Sequence, residues 1–227
     1  ELNAPGAALA GVLFLLGPAG MGDLPEIKAR GTLRVLAVDG SPRFLALDPG
    51  APPGFDRELL EGFAQLEAVS IEIVRVPSLD SLLPALIEGK GDLVAGGLLA
   101  TAARESRIDF TVEVFPTRLV VVTRQPHRTV RMIEELREEK VGTFRGSAMA
   151  EALAAANITP AKLYERFVLS EVVEGLRSQR ITACVLGVGD AVGAQHNDPL
   201  VQIGMFLGSQ GRLAFGVRKD APLLRQA

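Results

Sequence analysis

A hydroxyl and a guanidinium stand three residues apart in this sequence, directly after a pair of glycines. Thr101 and Arg104 follow the apolar strand-like run 92–95 and the dipeptide at 96–97, at what reads as the start of a helix. Side chains at this spacing share one face of a helix. Arg104 keeps its charge and can hold a carboxylate through two parallel hydrogen bonds, while Thr101 and the first N–H groups of the helix can add donors. The sequence therefore predicts an anion-binding clamp at Thr101 and Arg104.

Composition limits the class of protein. The 227 residues suffice for one large domain or two lobes, each of roughly 100 residues. An apolar fraction of 48% with 22% charged residues is typical of a globular protein, and a net charge of −3 with no basic stripe argues against nucleic-acid binding. With His127 and His196 as the only histidines, we expect no metal and no cofactor. Cys184 lies in an apolar run, which predicts a buried, inert thiol.

An uncharged apolar run covers residues 7–16. It is too short to span a bilayer, which needs about 20 residues. Its length and small-residue tail suit the hydrophobic part of a secretory signal, but no basic residue precedes it. Residues 1–23 are therefore an N-terminal extension with two interpretations left open, a signal remnant or a segment packed on the surface or against a neighbour.

From residue 24 onward, strand and helix patterns alternate. Hydrophobic periodicity predicts strands at 33–38, 70–76, 92–95, 115–123, 141–144, 166–169, 181–186, 201–207 and 212–217. It predicts helices at 56–68, 78–88, 130–140, 148–156 and 171–177, a glycine-rich turn at 187–190, and a last helix from Pro222. This alternation is typical of α/β proteins with mainly parallel sheets, in which ligands bind beyond the carboxyl ends of strands. The loops after Val38, Val76 and Ala95 are expected to converge there.

Several stretches carry a resemblance to a known family. They are 31–35, 54–58, 83–92, 96–104, 108–111, 141–147 and 211–219. In order and spacing they resemble the periplasmic solute-binding proteins of the amino-acid type (family 3), whose fold is shared by the ligand-binding cores of ionotropic glutamate receptors. The resemblance covers residues 24 to 225, and the segment 83–111 is its most specific part.

The resemblance implies a two-lobed type II periplasmic binding protein fold. Each lobe is expected to be a mainly parallel sheet flanked by helices, and two crossing segments join the lobes. Lobe one would comprise residues 24–115 plus 210–227, and lobe two residues 116–209. Such lobes close on a small ligand. The last helix expected of the family is cut short here, which suggests a piece of something longer.

The resemblance also implies a site. Residues matching Thr101 and Arg104 hold the ligand carboxylate in the family, and those matching Gly146 and Ser147 approach it from the other lobe through a helix N-terminus. An aromatic residue after the first strand, here Phe44, packs against the ligand.

Two positions of the expected site depart from the family pattern. Leu99 stands where a small polar residue is common, and Gly187 stands where an acid usually holds the ligand's ammonium group. Asp190, three residues later, could replace that acid only if the turn is rearranged; otherwise it is a helix cap. Carboxylate binding therefore has better support than ammonium binding.

The leading hypothesis is a periplasmic or otherwise extracytoplasmic binding protein without catalytic residues, free or membrane-anchored. It would be a monomer that captures a small carboxylate-bearing ligand, an amino acid or a related organic acid, and presents it to the membrane permease of an ABC importer. A second hypothesis is a ligand-sensing or regulatory module of a larger receptor or cell-wall lyase. A third is an enzyme similar to cyclohexadienyl dehydratases, although no nucleophile–base arrangement is visible in the sequence.

Overall fold

Strands and helices alternate in a computed structural model that describes residues 21–38 and 54–227. The first series of elements runs α1 (Leu24–Arg30), β1 (Thr32–Val38), α2 (Phe55–Leu66), β2 (Ser70–Val76), the 3-10 turn Leu79–Ser81, α3 (Leu82–Ile87), β3 (Leu93–Val94), α4 (Ala102–Glu105) and β4 (Asp109–Phe110). The second runs β5 (Phe115–Arg124), α5 (Ile133–Arg137), β6 (Val141–Phe144), α6 (Ala148–Ala155), β7 (Lys162–Tyr164), α7 (Leu169–Arg177), β8 (Ala183–Gly187), α8 (Val188–Asn197) and β9 (Val201–Leu213). The short strand β10 (Gly216–Val217) and the helix α9 (Pro222–Gln226) follow.

The described strands form two mixed sheets. The first has the order β2-β1-β3-β10-β4, in which β1 pairs in parallel with β2 and β3, and β10 is antiparallel to both of its neighbours. The second has the order β7-β6-β8-β5-β9, in which β6 is parallel to β7 and β8 while β5 is antiparallel to β8 and β9. In both sheets the parallel strands are those that helices connect, as the α/β pattern requires.

The central strands of each sheet are buried on both faces, which explains their near-continuous apolar sequence. Alternate residues of a strand point to opposite faces. In β1, Leu33 and Val35 join one core cluster with Ile27 of α1, whereas Leu36 joins another with Leu86 of α3. The second sheet repeats this arrangement, and its β5 contributes to two clusters.

Two strands carry the chain between the sheets. β5 and β9 pair along their length, from Phe115 opposite Leu213 to Arg124 opposite Val201. Just beyond β9, the Ala214 N–H donates to the carbonyl of Leu98 in the first half of the chain. These strands are the two crossing segments that the resemblance implies. The division at residues 115/116 and 209/210 stays a prediction, because the crossing falls inside the two strands.

Four predictions about elements were wrong. The strand expected at 166–169 is absent; the strand is Lys162–Tyr164, and Leu169 already begins α7. The ring of Phe167 packs against that of Phe144, with centroids 4.4 Å apart, so this apolar run reflects side-chain packing and not strand pairing. The helix expected at 130–140 is only Ile133–Arg137.

The other two errors involve glycines. The strands expected at 201–207 and 212–217 are largely one strand, β9, which continues through Gly208 at a φ of 74°. The turn expected at 187–190 is the first turn of α8. In both places a glycine led to the prediction of an interruption. Gly208 instead lies within the strand, where it allows a bend, and Gly187 is the residue at which the helix starts.

None of the helices in the two described ranges combines the length and the apolar content that crossing a membrane requires.

Candidate functional site

A cavity of about 380 Å³ lies between the two sheets, and both halves of the chain line it. The first half contributes, among others, Leu79, Leu82, Gly96, Gly97, Leu98, Leu99 and Arg104. The second contributes Thr117, Ser147, Ala148, Met149, Phe167, Gly187 and Asp190, among others. This volume is at the lower end of the range for small-molecule sites, so it suits a metabolite of amino-acid size.

The described lining is mostly apolar, with a few polar groups. Arg104 and Asp190 are its charged residues, and Thr117 and Ser147 add hydroxyls. A small number of polar groups in an apolar cavity gives a ligand its orientation, since each buried polar group of the ligand must find a partner.

The turn at Gly96 and Gly97 forms one wall of the cavity and is held by a buried carboxylate. Their φ angles are 102° and 81°, a region that glycine enters without strain. Oδ2 of Asp56, in the first turn of α2, accepts hydrogen bonds from both N–H groups, at 3.1 and 2.8 Å. The Asp56 side chain is only 3% exposed. No role of Asp56 was predicted from the sequence, although the stretch 54–58 that carried the resemblance contains it.

Arg104 is buried and connects the two halves. Its Nη1 donates to the carbonyl of Leu99 at 2.9 Å, and its Nη2 donates to the carbonyl of Gly146 at 3.1 Å. Its Nε lies 3.2 Å from Oε1 of Glu151 in α6. Burial lowers the pKa of the Arg104 guanidinium, and the Glu151 carboxylate acts in the opposite direction. Arg104 and Gly146 were predicted as site residues, whereas Glu151, in the first turn of the helix that Ser147 caps, was missed.

Thr101 has a local role in the structure. It is the N-cap of α4, and its hydroxyl oxygen accepts the N–H of Arg104 at 3.4 Å. Because α4 begins at Ala102, Thr101 precedes the helix and does not share a helical face with Arg104 as the spacing predicted. Thr101 is not among the described residues that line the cavity, whereas Leu99 is.

Gly146 and Ser147 bring the start of α6 to the cavity. Gly146 has a φ of 68°, and a Cβ placed on it would lie 2.7 Å from the backbone nitrogen of Asp80 in the other half. Only glycine permits this approach. Ser147 caps α6: its hydroxyl donates to the carbonyl of Phe144 at 2.7 Å and accepts the N–H of Ala150 at 3.1 Å.

Asp190 does not cap α8. Gly187 is the N-cap, so Asp190 lies within the first turn. Oδ2 of Asp190 lies 3.5 Å from the position that a Cβ on Gly187 would take. The Asp190 carboxylate therefore lies close to the point where the side chain of an acidic residue at position 187 would begin.

Phe44 lies outside the described residues, as does the loop after Val38 that was expected to reach the site. Two other aromatic residues line the cavity, Phe115 and Phe167. Neither was predicted: Phe115 was read as part of a strand, and Phe167 fell in the run that was wrongly assigned to another. Phe115 begins a strand that crosses between the halves, whereas Phe167 lies between β7 and α7 and has no local sequence signal.

Cys184 is fully buried in β8, and burial strongly raises the pKa of its thiol. The prediction that Cys184 is buried is confirmed.

Comparisons with known proteins agree with this geometry. A model of the bacterial extracellular solute-binding proteins, family 3, matches residues 33–227. A membrane-bound lytic murein transglycosylase F of Stutzerimonas stutzeri is 27% identical over 226 residues, which make up 96% of this chain and 46% of that protein. The chain thus spans about half the length of this curated relative.

Solved structures confirm the two-lobed type II fold. A truncated, arginine-bound form of the protein ArgBP from T. maritima superposes with a TM-score of 0.76 at 25% identity, covering 88% of this chain and 94% of that one. An ancestral amino acid-binding protein, a precursor of cyclohexadienyl dehydratase, gives a TM-score of 0.76 at 26% identity, covering 88% of each chain. The family model covers most of the chain, and the folds agree. The chain belongs to the bacterial extracellular solute-binding proteins of family 3.

Proposed function

We propose that the cavity binds a small solute through a carboxylate group, and that an amino acid or a related organic acid is that solute. The observation that carries this proposal is the position of Arg104, a buried guanidinium that lines the cavity and contacts both halves of the chain. Its contacts with the Leu99 and Gly146 carbonyls use one N–H of each terminal nitrogen. The second N–H of each terminal nitrogen can donate to a carboxylate in the cavity.

The start of α6 faces the ligand from the other half. Ala148 and Met149 line the cavity in the first turn of this helix. The first N–H groups of a helix have no acceptor within it and favour an anion. A carboxylate held by Arg104 and by α6 together meets both sets of donors only when the halves are in contact. Its binding therefore shifts the protein toward the closed arrangement.

Asp190 is the group that we propose for an ammonium. Its carboxylate lines the cavity beside the position where the family's acid is expected. An amino acid would then lie with its carboxylate toward Arg104 and its ammonium toward Asp190, with Phe115 and Phe167 against its apolar part. The arginine-bound structure and the ancestral amino acid-binding protein support an amino acid as the class of ligand.

We further propose a binding protein and not an enzyme. Asp190 is the only acid and the only candidate proton-transfer group among the described lining residues, whereas proton transfer during a reaction needs a well-placed acid or base. The precursor of cyclohexadienyl dehydratase motivates an assay with prephenate. We expect no turnover.

The cellular role has two candidates. The first is the delivery of the solute, outside the cytoplasm and as a monomer, to the permease of an ABC importer. The second is a ligand-sensing module of a larger cell-wall enzyme, which is favoured by the relative of which this chain spans about half. Uptake of a radiolabelled ligand in a deletion strain tests the first; a change in murein turnover with normal uptake would support the second.

Substitution of Arg104 tests ligand binding directly. At a ligand concentration of 100 times the Kd, wild type gains about 2.7 kcal/mol, which for this size raises Tm by roughly 5–10 °C. We expect Arg104→Ala to lose this increase in a thermal-shift panel of amino acids and organic acids. Arg107→Ala is the matched control, because Arg107 is exposed and lies three residues further on. A full Tm increase in Arg104→Ala would refute the proposal.

A further inference from the structure

Glu151 is a carboxylate that the protein itself places against Arg104. It belongs to α6 of the second half, whereas Arg104 belongs to α4 of the first, and Nε and Oε1 are 3.2 Å apart. The side chain of Arg104 is 8% exposed and that of Glu151 is 36% exposed. The ion pair therefore sits at the edge of the cleft with one partner buried, where it is screened less than a surface pair.

This contact changes the charge that a ligand meets. A guanidinium without a counterion attracts any anion, but here the positive charge is compensated by Glu151 before a ligand enters. A ligand carboxylate on the remaining N–H groups would be the second carboxylate around one guanidinium. It keeps its hydrogen bonds to Arg104, but the net attraction for an additional negative charge is reduced.

We propose that Glu151 is the internal counterion of Arg104 and that it biases the cleft toward solutes without a net negative charge, zwitterionic or cationic amino acids in preference to anionic acids. This inference rests on the proposed function and specifies its ligand class. Such a solute brings an ammonium together with its carboxylate, so the closed cavity does not take up an uncompensated charge. Asp190, a carboxylate in the same lining, acts in the same direction.

The ion pair has a second consequence. Because its partners belong to different halves, it forms only when the halves meet, and it favours the closed arrangement before any ligand binds. A substitution of Glu151 therefore affects affinity twice, through closure and through charge. A comparison of ligands with different charge separates the two effects, since closure is common to all of them.

Isothermal titration calorimetry with L-arginine, L-glutamine and L-glutamate provides that comparison, because these probes differ in net charge at pH 7. For wild type we expect L-glutamate to bind most weakly. In Glu151→Gln, the ratio of the L-glutamate Kd to the L-glutamine Kd should fall by about tenfold. Glu174→Gln is the control, since Glu174 is an exposed residue of α7 paired with Arg177; it should leave the ratio unchanged. An unchanged ratio in Glu151→Gln would overturn the role of Glu151 while the proposed function stands.

Small-angle X-ray scattering of the ligand-free protein is the second measurement. We expect a larger radius of gyration for Glu151→Gln than for wild type and Glu174→Gln. Equal radii would overturn the closing effect of the ion pair. If none of the three probes released or absorbed heat with wild type, the amino-acid proposal and the selectivity inferred from it would both fail, and scattering would still decide whether Glu151 holds the halves together.

Discussion

At the scale of single residues, the cleft depends on charged groups that are buried with their partners. An isolated buried charge is costly, and it is retained where several hydrogen bonds compensate it. Arg104 meets this condition with two carbonyls and one carboxylate, and Asp56 with two backbone N–H groups, among other contacts. Both side chains therefore have fixed positions, and each fixes a wall of the cavity.

Asp56 allows a prediction about the Gly96–Gly97 turn. Asp56→Ala leaves two part-buried N–H groups without their acceptor, which should lower the free energy of unfolding by about 2–3 kcal/mol. Asp56→Asn keeps one acceptor oxygen and should cost about half of that. Urea denaturation measures both, and ligand affinity should fall in the same order because the turn lines the cavity. The control is Glu58→Gln, an exposed residue in the same first turn of α2; an equal loss in this variant would contradict the role of Asp56.

The sequence predicted the residues of the site that have a local signal. Arg104 could be found because two glycines and a helix start lie next to it in the chain, and Ser147 because it follows a strand and caps a helix. The partners of Asp56 lie forty residues away, and Glu151 meets its arginine only across the cleft. Spacing along one chain segment does not encode such contacts. Phe167 shows the converse limit, since an apolar run that lines a cavity looks like a buried strand.

At the scale of elements, Asp198 lies where four of them meet. It follows α8, and its Oδ2 accepts from Nε of Arg124 at the end of β5, at 2.8 Å. The same oxygen is 3.5 Å from Nη2 of Arg177 at the end of α7. Oδ1 accepts the N–H of Leu200, just before β9. The carboxylate thus ties the far end of the β5–β9 pair to two helices, and this pair is what joins the halves.

A pH dependence follows from the Asp198 contacts. The hydrogen bond from Arg124 is the main cause that lowers the pKa of Asp198 below its ordinary value of 3.8. A carboxyl group with a depressed folded-state pKa stabilises the fold above the unfolded-state value, and the stabilisation is lost as the pH falls through the folded-state pKa. Asp198→Asn should therefore be less stable than wild type at pH 7, and the difference should shrink below pH 3.8.

Urea denaturation of Asp198→Asn at several pH values measures this difference. Glu165→Gln is the comparison, because Glu165 forms an exposed pair with Arg145 and exposed pairs contribute little. A difference from wild type that stays constant down to the lowest pH would show that Asp198 acts through packing and not through its charge.

At the scale of the whole molecule, the two halves touch through a few contacts that flank the cavity. Gly146 of one half packs against the backbone of Asp80 in the other and accepts from Arg104. Leu79, next to Asp80, packs against core clusters of both halves. The alternation of strands and helices and the family resemblance predicted two lobes. How closely the lobes approach depends on the missing Cβ of Gly146, and its distance from Asp80 is known only from the three-dimensional structure.

Gly146 therefore controls closure. In Gly146→Ala the new Cβ would lie 2.7 Å from the backbone nitrogen and 2.8 Å from the Cα of Asp80, and backbone atoms cannot move aside as a flexible side chain does. We expect a ligand-free protein with a larger radius of gyration in X-ray scattering and a ligand affinity reduced about tenfold or more, because closure must now overcome a steric clash.

The positive φ of Gly146 has an effect of its own, and a second variant isolates it. An L-residue in this left-handed region costs about 1 kcal/mol wherever it occurs. Gly31 has a φ of 73°, and a Cβ on it meets nothing within 4 Å. Gly31→Ala should therefore lose a similar free energy of unfolding while it keeps the wild-type radius of gyration and affinity. If Gly146→Ala matched Gly31→Ala in all three measurements, the contact between Gly146 and Asp80 would have no part in closing the cleft, and closure would depend on other contacts, such as those of Arg104 and Leu79.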